Sequence, residues 1–230
     1  MSDDPPVSRA IRAKQQRAKV RHFKPFAAEV GWIAYEWNGL HEAFCQVFAD
    51  LLGFREFDSR FAAYAIWHST SNDRAQREML SSVIKEIKEP TPRRPAPPKP
   101  PAHTVKLYEG VSWVLNEQMK ALAGRRNTAI HAPLLLVSLG REGLTFEVES
   151  NTFTGNPRAS ELPADDQEIR DEYAWYRDHL EKLSAYVMNL HWSWTTFGGP
   201  QPIAWPDKPL LLPRGQYRNR AAPHRKNGSK

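Results

Sequence analysis

The stretch that says most about the fold runs from Asp165 to Trp194 and reads DDQEIRDEYAWYRDHLEKLSAYVMNLHWSW. Its large apolar side chains recur at alternating steps of four and three residues, at Ile169, Tyr173, Tyr176, Leu180, Leu183, Val187, Leu190 and Trp194. This spacing puts them along one side of an α-helix, and the acidic residues at its start suit the positive end of the helix dipole. A long helix with such a seam is typical of a helical bundle or a helix-paired dimer.

Three further helices are predicted upstream of this stretch. The first begins near Pro25 and continues to Leu51, with Gly53 as a stop just beyond its last apolar position. The third runs from about Thr104 to His131 and ends before a proline, which cannot continue a helix. With the helix described above, they predict a mainly α fold, an antiparallel four-helix bundle.

The second predicted helix, residues 58–89, changes character in its middle. Continuing its apolar stripe by steps of three and four leads to His68 and then to Ser71 or Asn72. Either the helix breaks near residues 69–72, with a serine or asparagine capping a second piece, or the polar stretch faces a polar site.

The remaining segments set the expected boundaries. A helical domain is predicted over residues 25–200. It contains a proline-rich linker at 90–102 and a β-hairpin at 134–149, where two apolar or alternating runs flank a glycine-containing turn. A proline-rich extended segment is predicted at 201–213.

Positive charge is concentrated at the two ends of the chain. The whole sequence carries a net charge of +6, residues 1–24 carry +5 and residues 214–230 carry +6, which leaves the body mildly acidic at −5. Both ends are predicted to be disordered and basic. Such ends can hold a phosphate backbone non-specifically, and more often they are simply solvated.

Composition narrows the class of protein further. Cys45 is the single cysteine, so the sequence offers neither an internal disulfide nor a cysteine-rich metal site, and we predict no metal and no cofactor. No apolar run approaches the ~18 residues of a membrane-spanning helix, and no signal peptide is recognisable. We therefore expect a soluble cytoplasmic protein that does not insert into a membrane.

One short motif suggests chemistry. The third predicted helix ends in Gly124-Arg125-Arg126-Asn127-Thr128-Ala129-Ile130-His131-Ala132-Pro133, and the step after its apolar stripe places Arg126 on the inner face. Arg126–His131 resembles the Arg-x4–6-His motif of the HEPN superfamily, the higher eukaryotes and prokaryotes nucleotide-binding domains. In that family a polar residue such as Asn127 often follows the arginine, and the motif lies late in a helical bundle.

The resemblance implies a metal-independent endoribonuclease acting as a homodimer, for example a toxin paired with an antitoxin or a phage-defence effector. Arg126 and His131 would be catalytic. The imidazole suits proton transfer near neutral pH, and the guanidinium matches phosphate oxygens. Arg125 and Asn127 would bind RNA. If the second helix faces the motif, His68 or Asn72 would orient Arg126 or contact substrate.

Helix geometry limits how the two catalytic candidates can meet. Five residues on an ideal helix subtend about 500°, so Arg126 and His131 point roughly 140° apart. Either the helix loosens near Gly124 or Pro133, or two chains form a composite cleft, as the HEPN family typically does. The inserted hairpin and the linker depart from the usual spacing of that family.

Two rival interpretations need no catalysis at this motif. Arg126 and His131 could cap the last carbonyls of their helix. The protein would then be a non-catalytic helical bundle that binds a partner protein or RNA through its basic ends. A membrane-surface protein has the weakest support, because only the charge of the two ends favours it.

Overall fold

The structure, a computed structural model, describes residues 9–53, 57–70, 72–89, 101–131, 134–139, 145–150, 166–196 and 204–213. Helices dominate these ranges and two short strands form a hairpin, which confirms the mainly α class. The helices form five stretches in the described ranges, so the predicted count of four is wrong. No helix in these ranges has the length and apolar character needed to cross a membrane.

The first helix is longer than its apolar pattern indicates. α1 spans Arg9–Leu51 and contains Pro25, so the predicted start near Pro25 is wrong and residues 9–24, expected as part of a disordered arm, are helical. These residues are mostly exposed and rich in alanine, arginine, lysine and glutamine, all strong helix formers that leave no apolar stripe. The predicted stop is confirmed, because Gly53 follows with a φ of +77°, a conformation that favours glycine.

The second predicted helix is two helices, which confirms the predicted break near residues 69–72. α2 spans Phe57–Ser69 and α3 spans Asp73–Lys88. The side-chain oxygen of Asn72 accepts a 2.8 Å hydrogen bond from the backbone N–H of Ala75 and so caps α3.

The third predicted helix is one helical run with an irregular middle. α4 spans Ala102–Trp113, a π-helical segment spans Val114–Gln118, and α5 spans Met119–His131. All five members of the predicted stripe are buried, namely Tyr108, Val111, Leu115, Met119 and Leu122. The linker residues 90–100 and the turn 140–144 lie outside the described residues.

The predicted hairpin and last helix are both confirmed. β1 (Leu134–Leu139) pairs antiparallel with β2 (Thr145–Ser150), with Leu136 opposite Val148. α6 spans Asp166–Thr195, and seven of its eight predicted seam residues are buried, Trp194 being half-buried. Residues 204–213 have neither helix nor strand, which agrees with the predicted extended segment, whereas residues 214–230 lie outside the described part of the chain.

The chain divides into two compact units. The first unit comprises Met1–Ala34, Gly124–Asp178 and Leu212–Lys230, and the second comprises Tyr35–Ala123 and His179–Leu211. Buried apolar residues of the first unit are Phe26, Ile33, Ala129, Val148, Ile169, Tyr173, Trp175 and Tyr176. Those of the second include Trp37, Leu40, Phe44, Phe48, Trp67, Leu80, Leu107, Val111, Leu183, Val187 and Leu190.

The hairpin is tied to a helix of its own unit. The backbone N–H of Val148 donates to Oδ1 of Asp166, in the first turn of α6, and the Val148 side chain is fully buried. An isolated two-stranded ribbon is only marginally stable in water. The hydrogen bond to α6 therefore stabilises the hairpin and fixes it beside α6.

Candidate functional site

The Arg126–His131 motif occupies the last part of α5, in the first unit, and α6 holds it in place. The hydroxyl of Tyr173 donates a long, 3.4 Å hydrogen bond to the carbonyl oxygen of Ala129. Thr128 donates to the carbonyl oxygen of Gly124 one turn earlier at 3.2 Å. Burial raises the pKa of Tyr173 to about 12, and the nearby carboxylate of Glu172 adds to the shift. The phenol thus stays protonated and can donate throughout the neutral range.

Arg125, predicted to bind RNA, has partners within the protein. Its guanidinium donates to Oε1 of Glu172 and lies 5.4 Å from the ring centroid of Trp175. Both partners belong to α6, and the Arg125 side chain is about one-third exposed. An ion pair combined with stacking on an aromatic ring fixes the orientation of an arginine. Arg125 therefore helps to dock α5 against α6.

Arg126 and Asn127 contact each other. Nη1 of Arg126 donates to Oδ1 of Asn127 at 3.1 Å, and both residues are half-buried. The partial burial of Arg126 agrees with its predicted place on the inner face. Asn127 thereby orients the guanidinium next to it. The side chain of His131, the last residue of α5, lies outside the described part of the structure.

The backbone of α5 excludes one of the two places at which the helix was expected to loosen, and the other, Pro133, lies outside the described residues. α5 is regular α-helix from Met119 to His131, so it does not loosen at Gly124. The π-helical segment Val114–Gln118 lies upstream of the motif. The angle of roughly 140° between the two side-chain directions therefore applies within one chain up to the end of the helix.

A basic cavity lies in the same unit. It has a volume of about 470 Å³ and is lined by Ala18, Arg21, His22, Pro25, Thr145, Phe146 and Arg170. Arg170 is one helical turn from Tyr173, the residue that contacts the motif. Part of the positive charge is compensated, because Nε2 of His22 lies 2.8 Å from Oδ2 of Asp166, although without hydrogen-bond alignment. Arg170 lies over the ring of Phe26 at 5.4 Å from its centroid.

The other two predicted substrate-binding residues belong to the second unit. Asn72 is exposed and its side chain caps α3. Nε2 of exposed His68 lies 3.8 Å from Oε1 of Glu42 on α1. The ligand atoms of His68, Glu42 and Cys45 lie within 4.8 Å of one another, a grouping that the sequence analysis did not find. The spacing of Glu42 and Cys45, three residues apart on a helix, is the only signal of it in the sequence.

The polar face of α3 turns towards α1 in the second unit. Nε1 of Trp37 donates to Oδ2 of Asp73 at 2.7 Å, and the guanidinium of Arg77 lies 5.5 Å from the Trp37 ring centroid. Nη1 of Arg77 is also 3.3 Å from Nε2 of His41. Asp73 and Arg77 therefore connect α3 to α1 within the second unit.

A buried charged cluster in the second unit also escaped the sequence analysis. Asp50 contacts His191 and Arg60, and the guanidinium of Arg60 donates as well to Gln46 at 2.9 Å and to Tyr64 at 3.0 Å. These residues come from α1, α2 and α6, at separations that no local motif reveals. Because the polar groups of this cluster form hydrogen bonds with one another, we assign the cluster a structural role.

Comparison of the chain with protein-family models, with curated proteins and with solved structures finds no match.

Proposed function

We propose that this protein is a HEPN-like, metal-independent endoribonuclease. The observation that carries the proposal is the Arg126–His131 motif in the last two turns of a regular helix that packs on the long helix α6. Arg126 is half-buried and its guanidinium is oriented by Asn127, so it is restricted in direction before any substrate binds. A restricted cation loses less freedom when it binds a phosphate.

The reaction follows from the chemistry of these two residue types. The 2′-hydroxyl of a ribose attacks the adjacent phosphorus, the bond to the 5′-oxygen breaks, and the products are a cyclic phosphate and a free 5′-hydroxyl. His131 would transfer the proton, since imidazole titrates near neutral pH. Arg126 would stabilise the negative charge that accumulates on the phosphoryl oxygens, because its planar donor pair matches them.

The basic cavity of the first unit supports RNA as the substrate class. Arg21 and Arg170 provide cations for the phosphate backbone, and half-buried Phe146 provides a ring for base stacking. Single-stranded RNA is recognised by this combination of positive charge and aromatic surface. Arg170 and Tyr173 are neighbours on one face of α6. The same helix therefore contributes Arg170 to the cavity and Tyr173 to the contact with the motif.

A homodimer with a composite cleft is part of the proposal. The regular geometry of α5 favours a site in which Arg126 of one chain works with His131 of another. We expect the protein to act as a toxin or a phage-defence effector. In that role, wild-type protein, but not a His131→Ala variant, stops the growth of cells that express it without a cognate antitoxin.

The decisive experiment is cleavage of single-stranded RNA in the presence of EDTA. We expect the wild-type protein to give cyclic-phosphate ends, and His131→Ala and Arg126→Ala to lower the rate at least about a hundredfold, the first by loss of proton transfer and the second by loss of charge stabilisation. His103→Ala, a histidine change on α4, is the matched control and should cleave at the wild-type rate. Equal traces of cleavage by wild type and His131→Ala would disprove the catalytic assignment.

One observation favours the alternative, a non-catalytic bundle that binds a partner protein or RNA. Arg125, the neighbour of the proposed catalytic arginine, is held by Glu172 and Trp175 and so serves to dock two helices. If the whole motif is structural in the same way, His131→Ala leaves RNA or partner binding intact, whereas removal of the basic residues 1–24 and 214–230 abolishes it. Gel-shift titration of the His131→Ala and truncated proteins distinguishes these outcomes.

A further inference from the structure

Three potential metal-ligating side chains converge in the second unit. Glu42 and Cys45 are three residues apart on α1 and therefore share one face of it, and His68 lies in the last turn of α2. Their ligand atoms, one each of oxygen, sulfur and nitrogen, all lie within 4.8 Å of one another. Oε1 of Glu42 and Nε2 of His68 are 3.8 Å apart.

These separations are close to those that a bound metal requires. In a tetrahedral zinc site, ligand bonds of about 2.0–2.3 Å put neighbouring ligand atoms roughly 3.3–3.8 Å apart. For an oxygen and a nitrogen ligand the separation is roughly 3.3–3.6 Å, so the 3.8 Å between Glu42 and His68 has to shorten only slightly. The remaining contraction is small for side chains that can rotate, because the Glu42 and His68 side chains are 57% and 53% exposed.

The arrangement has a closed inner side and an open outer side. Cys45 is buried, with 1% of its surface exposed, and supplies a sulfur at the base of the group. Glu42 and His68 stand at its solvent side. An ion can therefore enter from solvent, and a fourth position stays open for water or for a small ligand.

The donor set selects the class of metal. Thiolate and imidazole together suit zinc and similar transition metals, whereas magnesium and calcium prefer sites made of oxygen alone. Three protein ligands with an open fourth position are typical of zinc sites that retain a water.

We propose that Glu42, Cys45 and His68 bind a single zinc-like divalent ion, with one coordination position open. None of these residues belongs to the Arg126–His131 motif, so the proposal stands apart from the proposed ribonuclease activity. Because metal coordination joins α1 to α2, the ion would also stabilise the second unit against unfolding.

The test is titration of the full-length, EDTA-treated and desalted protein with Co²⁺, a spectroscopic substitute for zinc. We expect one bound ion per chain, a thiolate-to-cobalt charge-transfer band, and displacement of Co²⁺ by Zn²⁺. Cys45→Ser should remove the band. His68→Gln and Glu42→Gln should each weaken binding at least about tenfold, since changes even beyond the ligands have effects of that size.

Two matched controls keep the result specific. His103→Gln and Glu109→Gln change a histidine and an exposed glutamate of α4, and both should bind Co²⁺ as the wild type does. If Cys45→Ser fails to fold, the exposed His68→Gln variant decides the question. A wild-type spectrum without a thiolate band, or unchanged affinity in His68→Gln, would overturn the proposal.

Discussion

Asp50 and His191 lie 141 residues apart in the sequence, and Nδ1 of His191 is 2.5 Å from Oδ2 of Asp50. Both side chains are buried, with 4% and 8% of their surfaces exposed. Because a carboxylate can only accept, the Nδ1 of His191 carries the proton. The other oxygen of Asp50 accepts from Arg60 at 2.5 Å, so one buried carboxylate joins α1, α2 and α6 of the second unit.

Because Asp50 connects three helices, its substitution is predicted to lower the free energy of unfolding substantially. Asp50→Asn leaves the Arg60 cation and the His191 N–H facing an amide, and removal of one partner of a buried pair destabilises by about 3 kcal/mol. Urea denaturation monitored by tryptophan fluorescence measures this loss. Glu78→Gln, in the exposed Arg74–Glu78 pair of α3, is the control and should leave stability unchanged. A loss for Asp50→Asn no larger than that of the control would show that the cluster contributes little.

Regular patterns made part of the fold predictable. The four-and-three seam of α6 and the alternation of the hairpin are local signals, and the structure confirms both elements. The break between α2 and α3 was one of two options, and the capping side chain of Asn72 decides it. Residues 9–24 give no such signal, because an exposed helix needs good helix formers and no apolar stripe.

The side-chain clusters could not be predicted, because they depend on tertiary pairing. Nothing local links Asp50 to His191, or His68 to Glu42 and Cys45, before α1, α2 and α6 are packed. The motif at Arg126 was found because it is short and contiguous. Its geometry could be predicted only as far as the helix stays regular, and α5 is regular past Gly124 as far as His131.

Gly110 of α4 is predicted to be required for close packing. A Cβ there would lie 2.5 Å from Cδ1 of Leu190, whose side chain is only 2% exposed and has little room to move. Gly110→Ala should therefore lower the free energy of unfolding by roughly 1–2 kcal/mol, the cost of overpacking exceeding the gain in helix propensity.

Gly31 of α1 provides the opposite case for comparison. A Cβ there meets no atom within 4 Å, and the position is exposed. Gly31→Ala should stabilise the protein by roughly 0.5–1 kcal/mol through helix propensity alone. Thermal unfolding of both variants checks the pair, and a stabilising Gly110→Ala would contradict the packing explanation.

Asn72 is expected to act on stability through its cap. Asn72→Ala removes the acceptor for the Ala75 N–H and should destabilise by about 1 kcal/mol, whereas Asn72→Asp, an equally good cap, should not. Circular dichroism during thermal unfolding measures both. Equal stability of Asn72→Ala and the wild type would contradict a stabilising role of the cap.

Tyr173 is predicted to make the protein sensitive to alkaline pH. Its pKa rises from 10.0 in the unfolded chain to about 12 in the folded protein, first because of burial and then because of Glu172. Between these values the unfolded chain loses the phenol proton and the native protein keeps it. The free energy of unfolding should therefore fall as pH rises, by up to about 1.4 kcal/mol per pH unit from this group.

The Tyr173→Phe variant isolates that contribution. The raised pKa values of Cys45, Tyr108 and Tyr186 act in the same direction and remain in both proteins, so the difference in slope belongs to Tyr173. Urea denaturation at a series of alkaline pH values should show a shallower decline for Tyr173→Phe. Parallel declines would mean that the phenol ionises equally easily in both states.

The composite cleft gives the sharpest test of the proposed ribonuclease. In a dimer where each site takes Arg126 from one chain and His131 from the other, mixing Arg126→Ala and His131→Ala chains regenerates one intact site per mixed dimer. Random association makes half of the dimers mixed and half of their sites intact, so about a quarter of the wild-type activity should return. The measurement is RNA cleavage in EDTA after the two inactive variants are unfolded and refolded together. A site built within one chain stays inactive in every combination, because each site then carries one of the two changes. Restored activity therefore requires both the dimer and the division of Arg126 and His131 between its chains.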